Sequence, residues 1–174
     1  KTRWLDYGRD NYAGVTFNHA PNYRRIFIGW MNNWSYAKEL PTSPWRGAMT
    51  IPRDLTLKRR GDDIHLCANP VAELWKYSRK IIRCNKGSAP LEIRAIFEIK
   101  EGKSTKIQIH GDHEKYLEFG FDGISKNLYV DRTSAWIEIP SSHYHSVEVN
   151  NPDEILEICA IVDRSSIEIF AGGG

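Results

Sequence analysis

Two tryptophans that bracket two asparagines, Trp30 to Trp34, form the stretch whose residue types best suit ligand chemistry. Flat indole faces stack on the C–H faces of ring-shaped ligands, while amide side chains both donate and accept hydrogen bonds. A polyhydroxylated ring offers both kinds of contact, so this spacing indicates a binding surface for such rings. The alternative is that both indoles are core packing, since Trp is usually largely buried.

Two histidine clusters, at residues 110–114 and 143–145, are the other candidates for chemistry. Imidazole and carboxylate groups bind metal ions, but no third matched cluster accompanies these two, and solvated loops are the simpler interpretation. No metal and no other cofactor is predicted. The repeated Val-Asp-Arg segments at 130–134 and 162–166 are interpreted as turns, because Asp and Ser side chains hydrogen-bond to nearby backbone.

Short strands and turns must position the aromatic segment. Apolar runs bounded by Gly, Pro and Asn predict strands at 12–17, 25–30 and 49–52, and a hairpin joining 55–58 to 64–67. Pro70 is expected in the first position of a helical turn over 69–74, which places a boundary at about 69–80.

Beyond this boundary the pattern changes to longer strands of alternating character. In residues 91–99 the odd positions are apolar and the even ones mostly charged. A strand with this alternation buries one face and exposes the other to solvent. The same alternation returns at 106–110, 117–121 and 166–169. Several half-buried strands at regular spacing predict an antiparallel β-sandwich.

Composition excludes some function classes. The 174 residues carry 24 basic and 22 acidic side chains, a net charge of +2, which is not the basic field that nucleic-acid binding needs. No apolar run is long enough for a membrane span, and the first residues do not open a signal peptide. Cys67, Cys84 and Cys159 are too few and scattered for a disulfide framework, so buried thiols are expected.

Three ordered blocks resemble glycoside hydrolase family 32, which contains invertases, inulinases and levanases. They are WLDYGRDNYA at 4–13, IGWMNNW at 28–34 and PTSPWRGAMTIPRDL at 41–55. YVDRTS at 129–134 and VDRSSIEIF at 162–170 are similar to the family's C-terminal strands. The match is specific because the blocks keep the family's order and spacing.

The resemblance implies an all-β chain truncated at both ends. Residues 1–68 would be the remnant of the last blade or blades of a five-bladed β-propeller. Residues 69–80 would be a linker with a short helical turn, and 81–174 an antiparallel β-sandwich whose last edge is missing.

The family's catalytic carboxylates lie in motifs of the form Asn-Asp-Pro-Asn-Gly, Arg-Asp-Pro and Glu-Cys, expected upstream of Trp4. Here Arg53-Asp54 is followed by Leu55 rather than Pro, so no catalytic residue is assigned. By resemblance, Trp30 looks like the indole that lines the fructose subsite, and Tyr7 and Asp10 are candidates for its rim or for the residues behind it. A turn or blade-closing role for Asp10 is the open alternative.

Two functions remain open. One is the C-terminal portion of a retaining glycosidase that cleaves sucrose or fructans and is inactive by itself. The other is a non-enzymatic module whose sandwich binds sugar or a partner subunit. The expected partners are a β-fructofuranoside and the missing N-terminal propeller part or another subunit. The compartment is undetermined, with secretion as one option.

Overall fold

A computed structural model of the chain describes residues 4–77, 90–135, 141–149 and 155–173, and within these ranges the protein is all-β, as predicted. The strands are β1 (Tyr12–Thr16), β2 (Ile26–Met31), β3 (Ala48–Met49), β4 (Arg53–Arg60), β5 (Asp63–Pro70), β6 (Leu91–Glu98), β7 (Thr105–His110), β8 (Tyr116–Asp122), β9 (Asn127–Asp131), β10 (Tyr144–Glu148), β11 (Ile155–Val162) and β12 (Ile167–Ala171). Two 3-10 helices accompany them, η1 (Pro21–Tyr23) and η2 (Ala72–Tyr77).

The described strands form three sheets. One has the order β1-β2-β4-β5, with β3 paired to β2; the second runs β10-β9-β8-β7; and the third runs β12-β11-β6. By contacts the chain divides into two interleaved units. The first comprises Lys1–Tyr12, Trp30–Ala48 and Phe97–Leu156, and the second comprises Ala13–Gly29, Met49–Ile96 and Glu157–Gly174. The predicted division at 69–80 remains a prediction.

In the first unit, the sheet of β7 to β10 has one apolar and one polar face. Phe119 and Phe121 of β8 are fully buried, and the alternation that turns them inward sends Glu118 and Asp122 to the other face. Because a sheet covered on one side needs apolar residues only there, this pattern is readable from sequence. The polar face therefore carries the chemically interesting side chains of this sheet.

In the second unit, an ion pair is buried between β4 and β12. Nη2 of Arg53 donates to Oε2 of Glu168 at 2.6 Å, and Oε1 of Glu168 accepts the Ile51 N–H at 2.8 Å. The Arg53 guanidinium also lies 5.2 Å from the ring centroid of Phe170. Glu168 occupies a position that alternation alone assigns to solvent, and its burial is possible because each oxygen has a donor.

A short helical turn is present within 69–80, but the start predicted at Pro70 is wrong. Strand β5 continues through Pro70, and η2 begins only at Ala72. Asn69 and Pro70 pair with Asp54 and Arg53 of β4, which holds them extended. Proline lacks the backbone N–H that donates to a neighbouring strand. At the end of a strand the missing hydrogen bond has little effect, so Pro70 can remain part of β5.

The histidine segment 143–145, expected as a solvated loop, is also different. Strand β10 begins at Tyr144, and His145 pairs with Val130 of β9. His110 ends β7, and the residues after it form the expected turn, closed by the Gly111 N–H to the Lys115 carbonyl at 2.9 Å. Cross-strand pairing decides these assignments, because it supplies backbone partners that a short sequence window does not reveal.

The turn interpretation of the Val-Asp-Arg repeats is confirmed. Oδ1 of Asp131 accepts the Thr133 N–H, and Oδ1 of Asp163 accepts the Arg164 N–H, each at 2.8 Å. Of the cysteines, Cys67 is buried but Cys159 is only half-buried, and Cys84 lies outside the described residues. Among the helices that the structure describes, none has the length and apolar character needed to cross a membrane.

Candidate functional site

Three aromatic rings meet where β2 ends, and we call Tyr12, Trp30 and Trp34 the aromatic corner. The Trp30 and Trp34 rings lie 5.2 Å apart at 59°, and the Tyr12 ring stands edge-on to Trp30 at 6.4 Å. Trp34 is 71% exposed, and Tyr12 is also exposed. The core-packing alternative is therefore wrong for Trp34, and the corner presents a solvent-accessible aromatic surface.

The turn after β2 fixes the direction of Trp34. Oδ1 of Asn33 accepts the Ser35 N–H at 2.9 Å, while the backbone carbonyl of Asn33 accepts the Ala37 N–H at 2.8 Å. Nδ2 of Asn33 donates to the carbonyl of Arg9 at 3.1 Å. Asn stabilises such turns because its short side chain replaces a backbone partner. Trp34, inside this turn, is consequently held at the surface.

The loop before β3 closes over the inner side of Trp30. The indole N–H of Trp30 donates to the carbonyl of Arg46 at 3.3 Å. Asn32 is 1% exposed, and its Oδ1 accepts the Asn33 N–H at 2.8 Å. The Nδ2 of Asn32 is buried without a hydrogen-bond acceptor in the described part of the chain. Asn32 and Asn33 were both predicted to face a ligand. Asn32 is instead buried behind the aromatic corner and is not accessible from the surface.

Asp10 is bound by neighbours of the corner. The hydroxyl of the buried Tyr36 donates to Oδ1 of Asp10, and Nη1 of Arg132 lies 3.7 Å from Oδ2. Burial raises the pKa of Asp10 above its usual value, against the opposing charges of Arg132 and His145. The carboxylate is thus held from two sides, consistent with the structural alternative named for it above.

Tyr7 lies in an exposed loop organised by Asp6. Oδ1 of Asp6 accepts the Gly8 N–H at 2.8 Å, and Oδ2 accepts Nδ2 of Asn11 at 3.0 Å. No ring contact joins Tyr7 to the aromatic corner among the residues that the structure describes. The structure therefore places Trp30 in the corner, connects Asp10 to the adjacent turn through Tyr36, and leaves Tyr7 apart. Their roles toward a ligand stay predictions.

Sequence reasoning assigned Tyr12 to a strand and to the first motif block, and gave it no part in the aromatic surface. One feature of the sequence could have indicated the contact between Tyr12 and Trp30. Tyr12 begins the strand that precedes β2, and strands that follow one another in sequence often lie side by side, which brings the start of the first near the end of the second. The corner as a whole can stack on a ring and orient it, but indoles and amides supply neither nucleophile nor general acid. Among the described residues, no group of three or more His, Cys, Asp or Glu side chains could hold a metal ion.

Two sequence models of one family match the chain. "Glycosyl hydrolases family 32 N-terminal domain" matches residues 1–70, and "Glycosyl hydrolases family 32 C terminal" matches residues 72–174. A levanase of Bacillus subtilis (strain 168) is 32% identical over all of this chain, which covers 29% of that levanase. An extracellular exo-inulinase of Aspergillus awamori is 31% identical over 98% of this chain and 36% of its own length.

Solved structures of other proteins have the same fold as this chain. The crystal structure of an exo-inulinase from Aspergillus awamori superposes with a TM-score of 0.73 at 26% identity, over 98% of this chain and 37% of that one. A sucrose-6-phosphate hydrolase from Lactobacillus gasseri has the same fold, with a TM-score of 0.75 at 23% identity over 98% of this chain and 36% of that one. The predicted fold class, the end of a β-propeller followed by a β-sandwich, is confirmed. The chain spans about a third of the length of these relatives.

Proposed function

Because this chain belongs to glycosyl hydrolase family 32, we propose that it is the C-terminal portion of a retaining enzyme cleaving β-fructofuranosyl linkages in sucrose or a fructan. The observation that carries the proposal is the exposed aromatic corner, within the segment that matches the family's N-terminal domain. Indole faces suit the C–H face of a sugar ring. Trp30 lines the fructose subsite, with Tyr7 and Asp10 at its rim or behind it.

The reaction needs two carboxyl groups about 5 Å apart. One attacks the anomeric carbon, and the other, protonated, assists the leaving group before water releases fructose. This chain contributes walls and positioning, and the reacting carboxylates come from polypeptide outside it. The environment of Asp10 supports this division, because a carboxylate that already accepts the Tyr36 hydroxyl and faces Arg132 is poorly placed for attack.

An exposed apolar surface on the second unit supports a further polypeptide as partner. Leu57 and Leu66 pair across β4 and β5 and therefore share a face, and both are more than half exposed. Val15 of β1 is similarly exposed. Large apolar side chains exposed on a folded unit are candidates for an interaction surface. We propose that the rest of the propeller, or another subunit, covers them.

Hydrolysis by the purified chain tests the division of labour. The chain is incubated with sucrose, inulin and levan, and released fructose is measured beside the native mass. No release from a species near 20.1 kDa is expected. Release by that species would contradict the proposal that the carboxylates lie elsewhere, whereas release by a larger assembly alone would support it.

Tryptophan fluorescence during titration with a short fructo-oligosaccharide tests the corner itself. Trp30→Ala is expected to weaken binding about fivefold, because stacking of an aromatic ring contributes on the order of 1 kcal/mol. Trp45→Ala is the control for loss of an indole outside the corner; Trp45 is 69% exposed, whereas Trp30 is half-buried. Equal weakening by both variants, or equal binding of a malto-oligosaccharide, would contradict a fructosyl-binding corner.

A second candidate is a non-enzymatic carbohydrate-binding or subunit-interaction module. A polar cavity on the sheet of β7 to β10 favours its sugar-binding form. Absence of fructose release even from the assembled, larger species, together with retained sugar binding, would favour this candidate over the hydrolase.

A further inference from the structure

A shallow, solvent-open cavity of about 260 Å³ lies on the polar face of the sheet formed by β7 to β10. Its lining side chains are Ser104, Glu118, Asp122, Tyr129, Asp131 and Tyr144. At about 30 Å³ per water, this space holds fewer than ten waters, which is the size of one small ligand rather than of a long chain. All six residues belong to the first unit, so the cavity is built within it.

The hollow is built into the strand pairing at Gly120. Gly120 shares the polar face with Glu118 and Asp122 by alternation, and it pairs with Tyr129 on one side and Lys106 on the other. A methyl group on Gly120 would lie 2.3 Å from the Thr105 carbonyl oxygen. Only glycine fits this approach, so the centre of the face has no side chain to fill it.

One wall of the cavity is a tyrosine pair. The Tyr129 and Tyr144 rings stack with centroids 5.6 Å apart and planes 16° from parallel. The Tyr129 hydroxyl donates to Oε1 of Glu118 at 2.8 Å, which immobilises the inner ring. Tyr144 is 46% exposed. A flat aromatic surface is thereby held in place at the edge of the hollow, as stacking on a ring requires.

The remaining walls are oriented acceptors. Glu118 accepts Nε2 of Gln108 at 2.7 Å and pairs with Nζ of Lys106 at 2.9 Å. Asp122 accepts the hydroxyls of Ser104 and Ser125 at 2.8 and 2.6 Å. These bonds fix both carboxylates without using every lone pair.

Asp131 has the most open acceptor of the cavity. Its Oδ1 takes the Thr133 N–H, whereas Oδ2 has no donor among the residues that the structure describes. Sugar hydroxyls donate readily to such carboxylate oxygens, and the bonds to a charged acceptor are stronger than those between neutral groups.

We propose that this cavity binds a single neutral sugar ring, with its C–H face on Tyr144 and its hydroxyls donating to Asp131, Glu118 and Asp122. The combination of a fixed aromatic surface with several oriented acceptors matches the two faces of such a ring. A metal ion fits less well, because the described carboxylates do not converge on one point. The site is separate from the aromatic corner, and the proposal does not depend on the hydrolase function.

Nitrogen-edited NMR of the chain during titration with fructose, and separately with glucose, tests the proposal. Saturable shifts of the Gly120, Ile124 and Thr133 amides are expected with at least one sugar. Tyr144→Ala is expected to weaken this binding about tenfold, because the stacking surface is removed. Tyr23→Ala is the matched control, since Tyr23 is a fully exposed tyrosine outside the cavity, and it should leave binding unchanged.

Further variants separate binding in the cavity from binding at the aromatic corner. Trp30→Ala should leave the cavity shifts intact, so failure of the aromatic corner and failure of the cavity are distinguishable. Tyr129→Phe keeps the stacked ring and should weaken binding less than Tyr144→Ala. The Kd for a neutral sugar should change less than twofold between about 50 and 500 mM NaCl, because binding neutralises no charge.

Three results would overturn the proposal. One is the absence of shifts with either sugar at about 100 mM, a concentration well above the millimolar range expected for a weak single-ring site, with a folded spectrum. Another is shifts of these amides with calcium chloride or lysine but with neither sugar, which would identify a cation site. The third is equal binding by Tyr144→Ala and the unaltered chain.

Discussion

Gly47 lies directly against Trp30: a methyl group on its Cα would come within 2.7 Å of the indole Nε1. The same methyl would lie 2.8 Å from Nδ2 of Asn32, and the φ of Gly47 is +74°. Close approach and left-handed backbone therefore coincide at one residue. The orientation of Trp30 depends on a position with no side chain.

Gly47→Ala should lower stability and weaken fructo-oligosaccharide binding together. The left-handed backbone alone costs a non-glycine residue about 1–2 kcal/mol, and the added methyl must also displace the indole or the amide. Urea unfolding and the fluorescence titration measure the two effects. Gly61→Ala is the control, because Gly61 has a φ of +60° but nothing within 4 Å of the added methyl. Equal loss of stability in both, with binding intact, would contradict the contact.

Glu168→Ala should be among the most destabilising single changes in the second unit. It removes the carboxylate that Arg53 and the Ile51 N–H both face, and breaking a buried pair from one side costs about 3–5 kcal/mol. Urea unfolding measures the loss. Glu98→Ala, which breaks the exposed pair with Lys100, should cause no measurable change. A loss as small as that of the control would show that the buried pair contributes nothing net.

Asp122→Asn should flatten the acid end of the stability curve. Hydrogen bonds from the Ser125 hydroxyl, the Ile124 N–H and the Ser104 hydroxyl lower the pKa of Asp122 from 3.8 to about 2. A lowered folded-state pKa stabilises the fold above about pH 4, and this stabilisation is lost as pH falls toward about 2. Thermal unfolding between about pH 2 and 7 measures the difference. Asp62→Asn, in the exposed β4–β5 turn, is the control, and parallel curves for all three proteins would contradict the prediction.

Asp10→Asn should produce the opposite pH dependence. Burial raises the pKa of Asp10, so the folded chain binds a proton here more tightly than the unfolded chain does. The stability of the unaltered chain relative to Asp10→Asn should therefore decrease as pH rises through the raised pKa. The same thermal scans test this. A relative stability that instead rises with pH would mean that Arg132, not burial, dominates the environment of Asp10.

Local sequence pattern determined much of the strand content. The alternation over 91–99 and 106–110 predicted β6 and β7 to within a residue or two, because one-sided burial imposes a period of two on any strand. The hairpin of β4 and β5 was likewise readable from its turn. The family was recognisable as well, since its motif blocks at 4–13, 28–34 and 41–55 are contiguous stretches of sequence.

Tertiary structure decided what local pattern leaves open. Tyr12 and Trp30 meet because β1 and β2 are neighbours, and the cavity exists because Gly120 lies between Tyr129 and Lys106 on adjacent strands. Pro70 stayed extended because β4 supplied its partner, and Glu168 was buried because Arg53 faced it. Contacts between residues far apart in sequence depend on which strands pair and in which register, and a short window carries no information on either.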